Sequence, residues 1–277
     1  MSNLGYPQSD FVNDLCEYYN VNAETAIKLG TRSDGRKPHL PGSKTCRSVT
    51  GKTYEDIWEL KPRETISDVF DFYLDQGSWS SFRQVVRHND LVRYHVGILQ
   101  TLLTSIAVKD SLVFLEYGCG VAPFARTLVE FIEKQARIDI LLSDVAGCEH
   151  FEFGAWRLQR KIDERQLNST VSVIPVEVDA LPKYDKEVDI AFIFEVLEHV
   201  PSPVATIQNI GEQLRAGGLL VENFIKHVDG DGDDGPDLIS ARQERDNFYA
   251  YLIKNFELIH GGHHQVNTNE TRIWRKK

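Results

Sequence analysis

Between residues 113 and 123 the chain reads Val-Phe-Leu-Glu-Tyr-Gly-Cys-Gly-Val-Ala-Pro, an apolar run that meets two glycines and then a proline. Gly118 and Gly120 can take backbone angles barred to other residues, so a ligand can approach the main chain closely there. Glu116, just before them, offers a carboxylate that can accept a hydrogen bond from an ammonium group. A glycine turn alone is common to many nucleotide-binding folds, but Pro123 stands where a dinucleotide-binding G-x-G-x-x-G needs its third glycine. A second group of reactive types lies in the run from Asp189 to Val200, which holds Glu195, Glu198 and His199. An imidazole suits proton transfer near neutral pH, and together with the two carboxylates it could hold magnesium, manganese or zinc. The alternative for His199 is a loop-packing or capping role. The Asp-Gly-rich run from Asp229 to Asp237 invites a calcium reading, but an EF-hand loop needs glycine sixth and glutamate twelfth. Those places hold Asp234 and Ser240, so that reading fails and a solvated loop is expected.

These residues need a frame, and the hydrophobic pattern supplies one. Apolar residues recur at helical spacing from Leu91 to Ile106, with Asp90 as the expected N-cap. Strands and helices then alternate. Strands are expected at 112–115, 138–142, 171–178, 188–194 and 219–224, and helices at 123–135, 151–162 and 204–214. Strands apolar on both faces and separated by helices imply a parallel sheet covered on both sides. After a helix at 237–254, two further strands at 256–260 and 271–275 are separated by too few residues for a helical crossover. They must therefore pair as an antiparallel hairpin. The expected architecture is α/β: a doubly wound, mostly parallel seven-stranded sheet with an antiparallel C-terminal hairpin, preceded by a mainly helical N-terminal extension. The ligand of such a sheet lies beyond the carboxyl ends of its strands. Residues 1–89 form the extension, with helices near 10–29 and 63–74 and a loop-like basic stretch at 31–53; residues 90–277 form the main domain.

Glu116-x-Gly118-x-Gly120 resembles motif I of the class I S-adenosylmethionine-dependent methyltransferases, with Ala122 at that motif's third glycine. The resemblance covers residue 90 onward and includes the terminal hairpin. The run Asp189–Val200 is similar to the motif after strand four in the ubiquinone-biosynthesis-like methyltransferases of small molecules. The resemblance implies that Glu116, Gly118, Cys119 and Gly120 hold the methionine part of the cofactor. It places Asp144, followed by Val145, on the ribose hydroxyls, although Asp144 could also be a turn or N-cap aspartate. Asp179 and Ala180 correspond to the adenine contact, with a turn former as the alternative for Asp179. Glu195 is placed near the sulfonium and the acceptor, and His199 is the candidate general base. Glu195, Glu198 and His199, joined by His227, also resemble the metal site of small-RNA 2′-O-methyltransferases. Tyr73, Trp79, Phe82, Arg83 and Arg87 could line an acceptor pocket under an N-terminal lid, and use of either arginine would favour an anionic acceptor.

Charge and composition narrow the partners. A net charge of −10 over 277 residues weighs against a nucleic-acid backbone, whose binding is dominated by phosphate neutralisation. The N-terminus carries no signal-peptide pattern, nothing is long and apolar enough to span a bilayer, and the four cysteines include no Cys-x-x-Cys pair. These features suggest a cytoplasmic protein, and the resemblance implies an enzyme that methylates a small-molecule acceptor, at oxygen in preference to nitrogen. Two other readings stay open: a metal-dependent RNA-terminal 2′-O-methyltransferase, and a non-catalytic domain that keeps the fold and binds a partner.

Overall fold

The computed structural model describes residues 8–30, 65–106, 111–132, 137–178, 180–225, 237–262 and 270–277. The N-terminal part supplies helices α1 (Gln8–Tyr19), α2 (Ala23–Gly30), α3 (Ile66–Leu74) and α4 (Ser78–Ser105). Then follow β1 (Ser111–Tyr117), α5 (Pro123–Phe131), β2 (Arg137–Val145), α6 (Glu149–Arg165), β3 (Ser169–Val176) and β4 (Val188–Ile193). A short 3-10 turn (Leu197–His199), α7 (Pro203–Gln213), β5 (Leu214–Glu222), α8 (Ile239–Asn255), β6 (Phe256–His260) and β7 (Arg272–Lys276) complete the described elements.

The seven strands form one sheet in the order β3-β2-β1-β4-β5-β7-β6. Strands β1 to β5 pair in parallel, and β7 pairs antiparallel with both β5 and β6. This is the doubly wound, mostly parallel sheet with a C-terminal hairpin that the pattern of apolar runs implies. Alternation along each strand splits the core into two layers. Phe114, Ile140, Leu142 and Phe192 pack with Leu99 and Leu102 of α4, Phe124 and Leu128 of α5 and Leu158 of α6. Leu115, Leu141, Ala191 and Ile193 belong to the opposite layer, with Ile207 and Ile210 of α7 and Phe248 and Leu252 of α8. The strand order reverses between β1 and β4, so a crevice opens beyond their carboxyl ends.

Three boundaries differ from the sequence reading. Helix α4 starts at Ser78 and runs unbroken to Ser105, so Asp90 is not an N-cap, and the 89/90 division falls inside a helix. Its first half buries Ser80, Ser81 and part of Gln84, polar residues that mask the helical period. Strand β5 begins at Leu214, earlier than expected: Gly217 (φ +72°) and a register shift opposite Val188–Ile190 accommodate the glycines within the strand. The first helical stretch divides into α1 and α2 at Asn20, which takes the left-handed conformation (φ +51°). Residues 31–53 lie outside the described residues. Among the described residues no helix is long and apolar enough to cross a membrane.

The terminal hairpin is tied to the parallel strands through Glu222. This side chain is fully buried at the end of β5. It accepts hydrogen bonds from the Phe224 amide (2.8 Å), Trp274 Nε1 (3.0 Å) and the Tyr249 hydroxyl (3.2 Å), and it lies 3.8 Å from the Arg272 guanidinium. Truncating one partner of a buried charged network strands the others, at about 3–5 kcal/mol. Glu222→Ala is therefore expected to lower the unfolding free energy by about that amount, read as a fall in the urea midpoint at unchanged slope.

Candidate active site

The turn from Tyr117 to Ala125 sits at the carboxyl end of β1, in the crevice. Both of its glycines are left-handed, Gly118 at φ +64° and Gly120 at φ +52°. A Cβ on Gly118 would lie 2.3 Å from a Val196 methyl, and one on Gly120 would lie 2.1 Å from Gln84 Oε1, so neither position admits a larger residue without movement. Ala122, at the third position of the motif, is also left-handed (φ +53°), a conformation that costs a non-glycine residue about 1 kcal/mol. The Gly118 and Cys119 amides both donate to the Ser143 carbonyl, at 2.7 and 3.1 Å. Cys119 is buried, and burial pushes its thiol well up, so it serves as a small apolar side chain rather than a nucleophile.

Two of the three expected cofactor acids border this turn. Glu116 is buried and accepts from the amides of Phe124 (3.1 Å) and Ala125 (2.8 Å), holding the first turn of α5 in place. Burial raises its carboxyl to about 8, against the downward pull of those two amides. Glu116 thus shapes the loop through the helix it caps. Asp144, near the end of β2, accepts from the Gly120 amide (2.5 Å) through one oxygen and from the Val145 amide (2.7 Å) through the other. It is a deeply set carboxylate aimed at the glycine turn. Asp179 lies outside the described residues; Ala180 follows it and forms a single bridge to Glu177.

The other side of the crevice is built from the end of β4 and from α4. Glu195 takes the left-handed conformation (φ +56°), its amide donates to Asn223 Oδ1 (2.6 Å), and its carboxylate pairs with Arg87. Strain in a non-glycine residue at a crevice is the mark of a positioned site. Phe194 packs on Tyr94 and Phe124, and His95 packs on Phe124 with ring centroids 4.4 Å apart. Glu198 is buried, and burial pushes its carboxyl well up, helped by Glu195 and Asp237. His199 Nε2 lies 4.0 Å from Glu198 Oε1. Among the described residues no group of three or more His, Cys, Asp or Glu side chains is arranged to hold a metal ion. His227, the run 229–236 and His263-His264 lie outside them.

Of the aromatic and basic residues expected to line a pocket, Arg87 does reach Glu195. Phe82 belongs instead to a separate core with Leu15, Ala26, Val121 and Phe153 and forms no wall. Tyr73 packs edge-on against Phe72 and faces His150. Sequence reasoning missed Ser80, Gln84, His95, His150 and Asn223. None carries a motif, and each reaches the site only through the packing of α4, α6 or the end of β5 on the turn.

A family model described as a methyltransferase domain matches residues 92–252, more than half of the chain. The chain belongs to this methyltransferase-domain family, and its cofactor is S-adenosylmethionine. No curated protein matches the sequence. Among solved structures, a SAM-dependent methyltransferase from Aquifex aeolicus is similar over 66% of this chain and 88% of its own, at 15% identity and a TM-score of 0.43. A methyltransferase from Pyrococcus furiosus is similar over 66% and 82%, at 14% identity and a TM-score of 0.40. The ubiquinone-like branch finds no separate support in these matches. The site fits the cofactor in its donor chemistry: at the carboxyl ends of the strands, and among the described residues, the Asp144 carboxylate meets the Gly120 and Val145 amides and His150, with no competing cationic side chain of lysine or arginine against it.

His95 makes the α4 wall sensitive to acid. It is 1% exposed, neither ring nitrogen meets a hydrogen-bond partner among the described residues, and burial lowers its pKa to about 3, with Arg87 adding to the effect. His88, whose ring is 5.3 Å away, is lowered for the same reason. A folded-state pKa below the unfolded value of 6.5 means stability is fully present above pH 6.5 and is lost as pH falls. At about 1.4 kcal/mol per unit, His95 alone removes about 2 kcal/mol by pH 5. His95→Leu is expected to shrink the loss of unfolding free energy between pH 7 and 5 by that amount. An unchanged pH slope would count against a neutral buried ring.

Proposed function

We propose that this chain transfers the methyl group of S-adenosylmethionine to a hydroxyl oxygen of a small-molecule acceptor by in-line displacement. The observation that carries this reading is the closure of the crevice by the chain's own helix. Residues Gln84, Arg87, Tyr94 and His95 of α4 cover Val121, Glu195, Phe194 and Phe124, the acceptor side of the site. A wall of this kind suits an enclosed small acceptor, and the acidic net charge weighs in the same direction. Residues 1–89 act in this reading as the lid that excludes water and shapes the pocket.

The cofactor supplies an electrophilic methyl on a sulfonium centre. The residues around it bind and align. The Gly118–Gly120 turn admits the methionine portion, and Asp144 with Val145 receives the ribose. Asp179, which lies outside the described residues, and Ala180 would receive the adenine. Glu195, held by Arg87 and Asn223, lies toward the sulfonium and the acceptor. His199 takes the acceptor's hydroxyl proton as general base. A second reading has one specific support. Neither carboxylate oxygen of the buried Glu198 receives a hydrogen bond among the described residues, which a divalent cation would explain in methylation of an RNA terminus, although Glu195, Glu198 and His199 are not gathered as a metal-holding group in this structure and Glu195 pairs with Arg87.

Calorimetric titration with S-adenosylhomocysteine tests the core of the reading. Asp144→Ala is expected to weaken binding at least about tenfold, the worth of a charge-assisted hydrogen bond. Unchanged affinity would remove Asp144 from the site. Formation of S-adenosylhomocysteine across an acceptor screen, with and without chelator, then separates the two readings. Turnover of small hydroxyl compounds in chelator supports the first, and chelator-sensitive turnover of RNA ends alone supports the second.

A further inference from the structure

Asp144 does not stand alone. His150, 2% exposed at the start of α6, places Nε2 at 3.9 Å from Asp144 Oδ1 and Nδ1 at 3.0 Å from Ser80 Oγ. Ser80, 1% exposed on α4, accepts a hydrogen bond from Gln84 Nε2 at 3.0 Å. Gln84 Oε1 in turn accepts from the Val121 amide at 3.1 Å. The path leaves the glycine turn at Val121 and runs by hydrogen bonds through Gln84 and Ser80 to His150, whose Nε2 faces Asp144 at ion-pair rather than hydrogen-bond distance; Asp144 in turn accepts from the Gly120 amide.

A backbone amide can only donate, so Val121 fixes Gln84 with its oxygen toward the turn and its NH2 toward Ser80. A serine hydroxyl can accept twice, so the direction of its own proton is set by what lies in reach: the hydroxyl is buried, its proton needs an acceptor, and among the described residues His150 Nδ1 is the one within hydrogen-bond distance. The neutral imidazole then carries its own proton on Nε2, facing the Asp144 carboxylate. We infer that Gln84, Ser80 and His150 form a relay that sets the His150 tautomer and positions Asp144 for the cofactor ribose. It couples α4 to cofactor affinity. The inference rests on Asp144 being the ribose carboxylate. The three are positioning residues, comparable to the outer partners that orient metal-ligating histidines. The groups facing His150 are Asp144 from β2, Ser80 from α4 and Tyr73 from α3.

Gln84→Glu tests the direction of the relay while keeping its shape. A carboxylate at position 84 still accepts from Val121 but has no proton for Ser80. Ser80 then donates to that carboxylate and accepts from His150 Nδ1, so a neutral ring turns its bare Nε2 toward Asp144. Only a protonated ring restores the N–H. S-adenosylhomocysteine affinity is measured by calorimetry at pH 6.0 to 8.5 in the parent, Gln84→Glu, Gln84→Glu with Ser80→Ala, and Asp144→Ala. The parent is expected to be flat. The single variant is expected to bind within about threefold of it at pH 6 and at least about tenfold more weakly by pH 8.5. Adding Ser80→Ala is expected to abolish that pH dependence, because position 84 no longer reads the ring. A flat Gln84→Glu profile, or a pH dependence that survives Ser80→Ala, overturns the relay. Unchanged affinity in Asp144→Ala instead overturns the ribose reading beneath it. Near-ultraviolet circular dichroism matching the parent confirms that each variant is folded.

Discussion

Every backbone amide described in the glycine turn has found an acceptor, and the sources of those acceptors explain how the site is assembled. Gly118 and Cys119 use a carbonyl of β2, Gly120 uses Asp144, and Val121 uses Gln84 of α4. Ala122 closes back on the Cys119 carbonyl, and Phe124 and Ala125 use Glu116 at the end of β1. Buried amides without partners are expensive, so a tight turn between a strand and a helix must collect acceptors from whatever surrounds it. Here the collectors are three separate elements, and the turn holds β1, β2 and α4 in mutual register. The left-handed backbone of the two glycines, closely covered by Val196 and Gln84, is therefore tied to how those amides are satisfied.

The acids divide their roles accordingly. Glu116, which the motif suggests as a partner for an ammonium group, is used by the amides of α5. Its effect on a ligand passes through the loop it braces. Asp144 bridges both roles, because its oxygens meet turn amides and also face the crevice. Glu222 shows the same economy two strands away at the carboxyl ends of the strands, where one carboxyl group gathers donors from β7, α8 and its own strand end. In each case the carboxyl oxygens sit where several donors converge, which is what permits so polar a group to be buried.

Helix α4 is the element that joins the N-terminal part to the catalytic fold. It contributes Leu99 and Leu102 to the sheet core, Gln84 to the turn and Arg87 to Glu195. Its buried polar residues make it read as two separate segments, since a helical period is recognised by apolar residues alone. The same polar residues are those that reach the site. The acid sensitivity expected of His95 and the relay through Ser80 arise from one cause: a helix that packs polar side chains against a crevice.

The class of fold is written in the order of the residues. Parallel strands buried on both faces must be apolar throughout, and runs such as Val188–Ile193 or Ile138–Leu142 carry that signature in one dimension. The final strands, too close for a crossover, could only pair antiparallel. The glycine turn and Asp144 are legible for the same reason, because a motif is a local arrangement fixed by neighbours in sequence. How distant residues meet is settled only in three dimensions. Ser80 and His150 are 70 positions apart, Gln84 and Val121 37, and Glu195 and Asn223 28. Such pairs depend on where a helix docks and on the rotation about its axis. Nothing in a stretch of neighbouring residues encodes that rotation, because it is set by the summed packing of faces brought together only when the sheet has formed.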